Sequence, residues 1–344
     1  MPNKKTVMLA LSGGVDSSVC AELLRLDGFE VKAVVMKMSD AHDETVEAAK
    51  KVAESLQIPL TVLDLRSEFK KNVIEPFISD YVSARTPNPC VICNPRVKFY
   101  HLLKTADEQG CDYIATGHYA KIGCENGIYF VEKSDSIERD QSYMLYRLPQ
   151  EVLSRLIMPL GSLGKDYVRS KARELSLSSA DAPDSQENCF IPDNDYASYI
   201  KAQGVKCAEG DFISPEGKVV GRHKGIIHYT VGQRKGLGIA LGQPVFIKKI
   251  DAEQNRIYLA YNGGQFSSKI LVGDCLYMLK DAPSKPFNAE VKIRSAARCE
   301  SAVVTPLKNG CAEVLFESPV KAAAPGQSAV FYSGNRVLGG GFIM

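Results

Sequence analysis

Through the first 120 residues, short apolar runs alternate with longer stretches in which apolar residues recur every three or four positions. The runs TVMLAL (6–11), EVKAVVMKM (30–38), IPLTVLDL (58–65) and CDYIATGHY (111–119) predict strands. Between them, SSVCAELLRLDG (17–28), DETVEAAKKVAESLQ (43–57), SEFKKNVIEPFISDYVSA (67–84, with Ser67 as N-cap) and VKFYHLLKTADEQG (97–110) carry helical spacing. This alternation predicts an α/β fold with a doubly wound parallel sheet, in which ligands sit at the carboxyl ends of the strands. Residues 150–205 read as helical, with GKDYVRSKARELSL (164–177) the clearest case. From about residue 207 the texture changes to short β-type runs between glycines: GKVVGRH, GIIHYTVGQ, PVFIKKID and RIYLAYN, then AEVKIRS, CAEVLFES, QSAVFYSG and VLGGGFIM. Small barrels or sandwiches fit that pattern.

Charge divides the chain where the texture does. Residues 1–200 hold 23 Lys and Arg against 29 Asp and Glu, a net of −6, whereas residues 201–344 hold 19 against 11, a net of +8. A basic half points to a polyanionic partner. No apolar run approaches the roughly 20 residues of a membrane span, so no membrane role and a cytoplasmic location are expected. Ten cysteines without a secretory signal then read mostly as small buried hydrophobes. Cys20, on the apolar face of the first predicted helix, is one of these.

Three stretches carry candidate chemistry. Ser12-Gly13-Gly14-Val15-Asp16-Ser17-Ser18 lies between a predicted strand and a predicted helix, where a glycine turn aims backbone N–H groups and the helix dipole at an anion. It has neither the Gly-Lys-Ser/Thr of a Walker loop nor GxGxxG spacing. It resembles instead the pyrophosphate-binding loop of N-type ATP pyrophosphatases, with the serines as donors to phosphate and Asp16 within reach of a Mg²⁺ shared with it. The second stretch, RTPNPCVICNPRVKF (85–99), reads as an irregular exposed loop before a helix. It sets Cys90 and Cys93 among Arg85, Arg96 and Lys98, which favour thiolate. A lone CxxC is compatible with a zinc half-site, a redox pair or chance, and no second CxxC completes a zinc site. The third, DSQENCFIP (184–192), puts Cys189 in a polar loop.

The ordered set SGGVDSS, TPNPC..CN..VKF, TGHYA, RDQSYMLYRL, DSQENCFIP, YTVGQRKGLGI and PGQSAVFY…LGGGFI resembles the bacterial tRNA-specific 2-thiouridylase family along essentially the whole chain. The resemblance implies a pyrophosphatase-type catalytic domain (1–205, tRNA-facing from about 150), a central domain (206–268) and a C-terminal β-barrel (269–344). It implies ATP-dependent adenylation of the C2 oxygen of the wobble uridine in the tRNAs for lysine, glutamate and glutamine, followed by sulfur transfer. Ala10, Leu11, Ser12, Gly13, Gly14, Val15, Asp16 and Ser17, with Met36 and Gly117, would form the ATP site, and His118 would neighbour the nucleotide. Cys93 takes the place of the nucleophile and Cys189 that of the persulfide carrier, the pair ending the cycle as a disulfide. Asn88, Pro89 and Cys90 occupy the target-base segment, and Arg139, Asp140, Gln141, Arg294 and Ser295 would touch tRNA. Arg234 and Lys235 suit phosphate contacts. Partners would be tRNA and an upstream sulfur donor, a cysteine desulfurase or a relay protein.

The chain departs from that family in two places. Many members have aspartate where Cys90 stands, and the segment after VVMKM is shorter than is usual. Three thiols at 90, 93 and 189 raise the alternative of a [4Fe-4S] cluster held by three cysteines. The rivals from other classes are a small-molecule amide ligase of the same superfamily and an RNA-binding module with a degenerate nucleotide site.

Overall fold

The computed structural model describes residues 4–175, 177, 180, 188–191 and 193–344. Strand β1 (Thr6–Ala10), helix α1 (Val15–Leu26), β2 (Glu30–Lys37), α2 (Asp43–Ser55) and β3 (Leu60–Asp64) follow the predicted alternation. A long helical stretch runs from α3 (Arg66–Phe69) through a π-helical segment (Lys70–Ile74) into α4 (Glu75–Val82). A second runs from α5 (Pro89–Cys93) through a π-helical segment (Asn94–Lys98) into α6 (Phe99–Glu108), ahead of β4 (Tyr113–Ala115). Then come the hairpin β5 (Ala120–Glu125) and β6 (Ile128–Lys133), α7 (Gln150–Leu153), β7 (Leu156–Ile157), α8 (Lys165–Glu174) and α9 (Tyr196–Ala202).

The first sheet is parallel throughout, in the order β3-β2-β1-β4-β7. Its central strand is apolar on both sides, because helices cover both. Met8 packs into a core with Val34 and Phe99, while Val7 and Leu9 pack into another with Val19 and Val52. The strand order reverses beside β1, and such a switch point opens a crevice at the carboxyl ends of the two strands that flank it. Those ends are the Ser12-Gly13-Gly14 turn after β1 and the Thr116-Gly117 turn after β4.

A four-stranded sheet, β8 (Gly210–Ile213), β9 (Val219–His223), β10 (Val245–Asp251) and β11 (Arg256–Tyr261), makes the central unit in the order β10-β11-β8-β9. Six strands then close a barrel: β12 (Phe266–Tyr277), β13 (Phe287–Lys292), β14 (Glu300–Pro306), β15 (Ala312–Lys321), β16 (Ser328–Ser333) and β17 (Arg336–Ile343), with β12 paired back onto β17.

Four expectations change. The helix expected from Ser67 starts at Arg66, because the Asp64 carboxylate already accepts from the Arg66 N–H (3.2 Å), and Ser67 is no cap. The β-type run GIIHYTVGQ forms one 3₁₀ turn, Ile226–His228, between Gly225 and Gly232, whose φ values of +107° and +87° break an extended strand. Among the described residues of 150–205, strand β7 stands with three short helices, α7, α8 and α9. The fourth difference bears on the site: the hairpin β5–β6, from within the first 205 residues, joins the barrel sheet through β17. The Arg336 guanidinium lies 3.8 Å from the Phe130 ring centroid and pairs with Glu125 at 2.7 Å. Tyr143 and Tyr146 are buried against the barrel, their hydroxyls on the Ser328 carbonyl (2.9 Å) and side chain (3.1 Å). Burial of each such ring contributes roughly 2–3 kcal/mol, so the barrel is fixed to the α/β domain.

Candidate functional site

The glycine turn is shaped by close packing. Gly13 has φ +74°, and a Cβ there would stand 2.6 Å from the backbone of Ala48 on α2. Gly14 caps α1 with no side-chain hydrogen bond, so the first-turn amides of Val15 and Asp16 stay directed at the crevice. The Ser17 and Ser18 hydroxyls both lie in reach of the Gly14 carbonyl (3.1 and 2.9 Å), and Ser12 Oγ stands 3.0 Å from Ser17 Oγ. These contacts brace the turn. Gly117 abuts the start of α1, where a Cβ would come 3.1 Å from the Ser17 amide. Met36 is buried at the carboxyl end of β2, next to β1.

Asp16 is held more tightly than its place in the turn requires. Its carboxylate accepts from the Tyr119 hydroxyl at 2.7 Å and from Lys165 Nζ at 2.8 and 2.9 Å. Burial and the neighbouring carboxylate push the Tyr119 hydroxyl far above its ordinary value, so it remains a donor. Sequence reading passed over Lys165, yet a signal exists. A lysine opening a helix opposes the helix dipole, and Lys165 opens α8 with its side chain only 9% exposed.

The cysteine segment is a helix, not the loop expected. The Asn88 side chain caps α5 by accepting from the Cys90 N–H (3.1 Å), and Pro89 follows as its first residue. Residues three apart share a helix face, which turns Cys90 and Cys93 the same way. Together with Cys189 they line a cavity of about 30 Å³, walled also by Met38, Phe69, Val73 and Phe190, with Asn94, Lys98 and Asn188 as its polar lining. Cys93 is buried and its Sγ lies 4.0 Å from Met38 Sδ; Cys189 is an exposed residue at the cavity wall.

Two features set this cavity near the carboxyl ends of β2 and β4. Met38 follows the same β2 end that carries Met36. Phe99, the first residue of α6, stacks on His118 with centroids 5.7 Å apart. Burial holds His118 far down, at about 3, with Lys98 acting in the same direction, so the ring is neutral.

Of the three cations expected to favour thiolate, Arg85 pairs with Asp80 (3.1 Å), Arg96 is exposed, and Lys98 alone lines the cavity. Burial outweighs it. Cys93 is pushed up to about 12 by burial, with Cys189 and Cys90 adding to the rise. Alkylation of Cys93 by iodoacetamide is therefore expected to accelerate steadily up to about pH 12. A plateau reached below pH 9 contradicts this.

The remaining residues fall into place differently. Asp140 accepts from the Ser134 and Ser142 amides and the Ser142 hydroxyl, and Gln141 accepts from the Tyr119 N–H (2.9 Å). Gln141 therefore braces the Tyr119 that holds Asp16, while Asp140 ties Ser142 to Ser134. Arg294 donates to the Val231 and Ala322 carbonyls (2.9 and 2.7 Å), tying central unit to barrel, while Ser295 is exposed beside it. The barrel in turn reaches the cysteine segment, because Gln327 donates to the Thr86 carbonyl (2.9 Å) and the Thr86 N–H donates to Pro325 (2.7 Å). Ser185, Gln186 and Glu187 of the third motif lie outside the described residues. Among the described residues no group of three or more His, Cys, Asp or Glu is arranged to hold a metal ion, and no helix is long and apolar enough to cross a membrane.

Three family descriptions match the chain in order: "tRNA methyl transferase HUP domain" over residues 5–193, "tRNA methyl transferase PRC-barrel domain" over 198–261 and "Aminomethyltransferase beta-barrel domain" over 267–343. A tRNA-specific 2-thiouridylase MnmA of Clostridium botulinum is 42% identical, across 99% of this chain and 98% of its own. That of Acetivibrio thermocellus is 44% identical, across 99% of both chains. Among solved structures, a 4-thiouridine synthetase in complex with RNA and ATP is similar with a TM-score of 0.40 and 20% identity, over 58% of this chain and 50% of that one.

Proposed function

Because the chain belongs to the tRNA-specific 2-thiouridylase family, we propose that it replaces the C2 oxygen of a tRNA uridine by sulfur at the expense of ATP. The observation that carries this reading is the convergence of Cys90, Cys93 and Cys189 on one cavity, with Met38 of that cavity directly after β2, the strand beside the one that leads into the glycine turn. The word "methyl" in the matching descriptions names a chemistry the site does not suit, since thiols and an anion-binding turn serve sulfur delivery and phosphate capture.

A C2 carbonyl oxygen is a poor leaving group. Transfer of AMP to it makes a good one, and the open amides at the start of α1 suit the departing pyrophosphate. Asp16 is the residue to hold a Mg²⁺, which would neutralise charge on the phosphates. Tyr119, braced by Gln141, sets the carboxylate's orientation. In the sulfur half, Cys189 at the exposed wall receives a persulfide from a donor, and the buried Cys93 attacks or assists it, leaving a Cys93–Cys189 disulfide for external thiols to reduce. The substrates under this reading are wobble uridines of the lysine, glutamate and glutamine tRNAs in the cytoplasm. Asn88, Pro89 and Cys90 flank the base, with Arg139 and Ser295 toward the tRNA; Asp140, Gln141 and Arg294 support them by position. The [4Fe-4S] alternative fits poorly, because a 30 Å³ cavity admits about one water and its thiols are not set as ligands.

Pyrophosphate release tests the reading. Unmodified tRNA should stimulate it and 2-thiouridine should accumulate in step. Release indifferent to tRNA would make the protein a small-molecule ligase, and no release at all would make it an RNA-binding module.

A further inference from the structure

The stretch between α4 and α5 does not hold itself in place. It leaves α4 through Ala84, a non-glycine residue at φ +58°, and Pro87 and Pro89 remove two of its backbone donors. Arg85 is tied back to Asp80 by its N–H (2.8 Å) and its side chain (3.1 Å), and Asn88 caps α5. Between these two anchors the backbone finds its partners on the barrel. The Thr86 N–H donates to the Pro325 carbonyl (2.7 Å), and Gln327 Nε2 donates to the carbonyls of Thr86 (2.9 Å) and Pro87 (3.4 Å).

The loop that supplies these partners, residues 322–327 between β15 and β16, is itself fixed from several sides. Ala324 is buried in the core of the central unit, against which Ala84 also packs. The Ala322 carbonyl accepts from the Arg294 guanidinium (2.7 Å), and the Gly326 N–H and Gln327 carbonyl pair with Ile343 of β17 (2.9 and 2.8 Å). Gly326 is buried with φ +91°, and a Cβ there would stand 2.9 Å from the Thr86 amide nitrogen and 3.0 Å from Arg85 Cβ. So close an approach at a left-handed position suits glycine alone.

Resting on the thiolation reading, we propose that the 322–327 loop of the barrel positions the cysteine helix for the sulfur step, with Gly326 and Gln327 as its positioning residues. The loop fixes the backbone from which α5 starts, and α5 carries both Cys90 and Cys93. The phosphate turn after β1 takes no part in this contact, so pyrophosphate release and sulfur delivery should separate when the loop is disturbed.

The test uses the full-length protein and two substitutions. Gly326→Ala drives a methyl group into Thr86, and Gln327→Met, close to glutamine in size, removes only the donor. Gly334→Ala is the control, since Gly334 in the β16–β17 turn has φ +58° with nothing within 4 Å, and loads the barrel with strain away from the cysteine segment. Iodoacetamide alkylation of the buried Cys93 should accelerate about tenfold in Gly326→Ala and about threefold in Gln327→Met through local opening of α5, and stay unchanged in Gly334→Ala. At saturating tRNA, the 2-thiouridine formed per pyrophosphate released should fall by similar factors, while the KM for tRNA stays within about twofold. The proposal is overturned if alkylation and this ratio stay within about twofold in both variants, or if Gly334→Ala moves them as far. A rise in the KM for tRNA with the ratio unchanged also overturns it, because the loop would then be an RNA contact. If the unsubstituted protein forms no thiouridine, the thiolation reading falls, and the alkylation rates alone decide whether the loop holds the helix.

Discussion

Replacing Cys93 or Cys189 with serine should abolish 2-thiouridine formation from a persulfide donor, by roughly 10³-fold or more, as expected when a covalent step loses its nucleophile. Serine is close to cysteine in size, so the cavity wall survives, and tRNA affinity should stay near that of the unsubstituted protein. The two residues act in one step, so the double variant should be no worse than either single one, the non-additivity expected of groups that work as a unit. Nucleoside mass spectrometry reads the loss. Full activity in either serine variant would show that the sulfur does not pass through this pair. Cys90→Ser separates a third possibility: Cys90 shares the helix face of Cys93 but lies outside the relay, so its loss should be far milder.

The second large effect is expected at Asp16. Asp16→Ala should lower tRNA-stimulated pyrophosphate release by roughly 10²–10³-fold, the scale of losing one well-placed charged group at a reacting phosphate. The structure adds a cost that the turn alone would not suggest. Lys165, with its side chain nearly buried, loses its carboxylate, and Tyr119 loses its acceptor. Removing one partner of a buried pair is worth roughly 3–5 kcal/mol in the fully buried limit, and less here because Asp16 is about a third exposed. Thermal melting separates the two effects, since a folded variant that alkylates at Cys93 normally but releases no pyrophosphate has lost only the nucleotide step. Lys165→Met should fail at that same step. Normal pyrophosphate release from Asp16→Ala would remove the phosphate turn from the account.

How much of this was legible beforehand follows from the range of the interactions involved. The parallel sheet could be read because its central strands are covered on both faces and so are almost continuously apolar, as in residues 6–11 and 30–38. The glycine turn could be read because Gly13 takes a backbone conformation that few other residues adopt, and that demand leaves its mark within three positions of sequence. Cys93 and Cys189 stood out only jointly with the other motifs, and their meeting in one cavity is a tertiary fact. The local reading of residues 85–99 as an irregular loop failed because two prolines that disrupt a helix interior are compatible with its first turns. Pro89 starts α5, and Pro95 lies in the π-helical segment that follows. The β5–β6 hairpin joins a strand formed some 200 residues later, and no local pattern encodes such a partner. Arg294 shows the opposite limit. The resemblance sets it at the tRNA, and its two internal carbonyl partners, 63 and 28 positions away, leave no local mark in the sequence. Lys165 escaped for a related reason, since the carboxylate it meets is 149 positions distant.

The most direct measurement follows the sulfur itself. The protein is loaded at Cys189 with an isotopically heavy persulfide and given unmodified tRNA, ATP and Mg²⁺ for a single turnover, and both tRNA nucleosides and protein peptides are then analysed by mass spectrometry. The expected result is heavy 2-thiouridine, formed only with ATP, together with a Cys93–Cys189 disulfide peptide in equal amount. Release of AMP and pyrophosphate with the heavy sulfur still on the protein, or heavy thiouridine formed without that disulfide, would contradict the account.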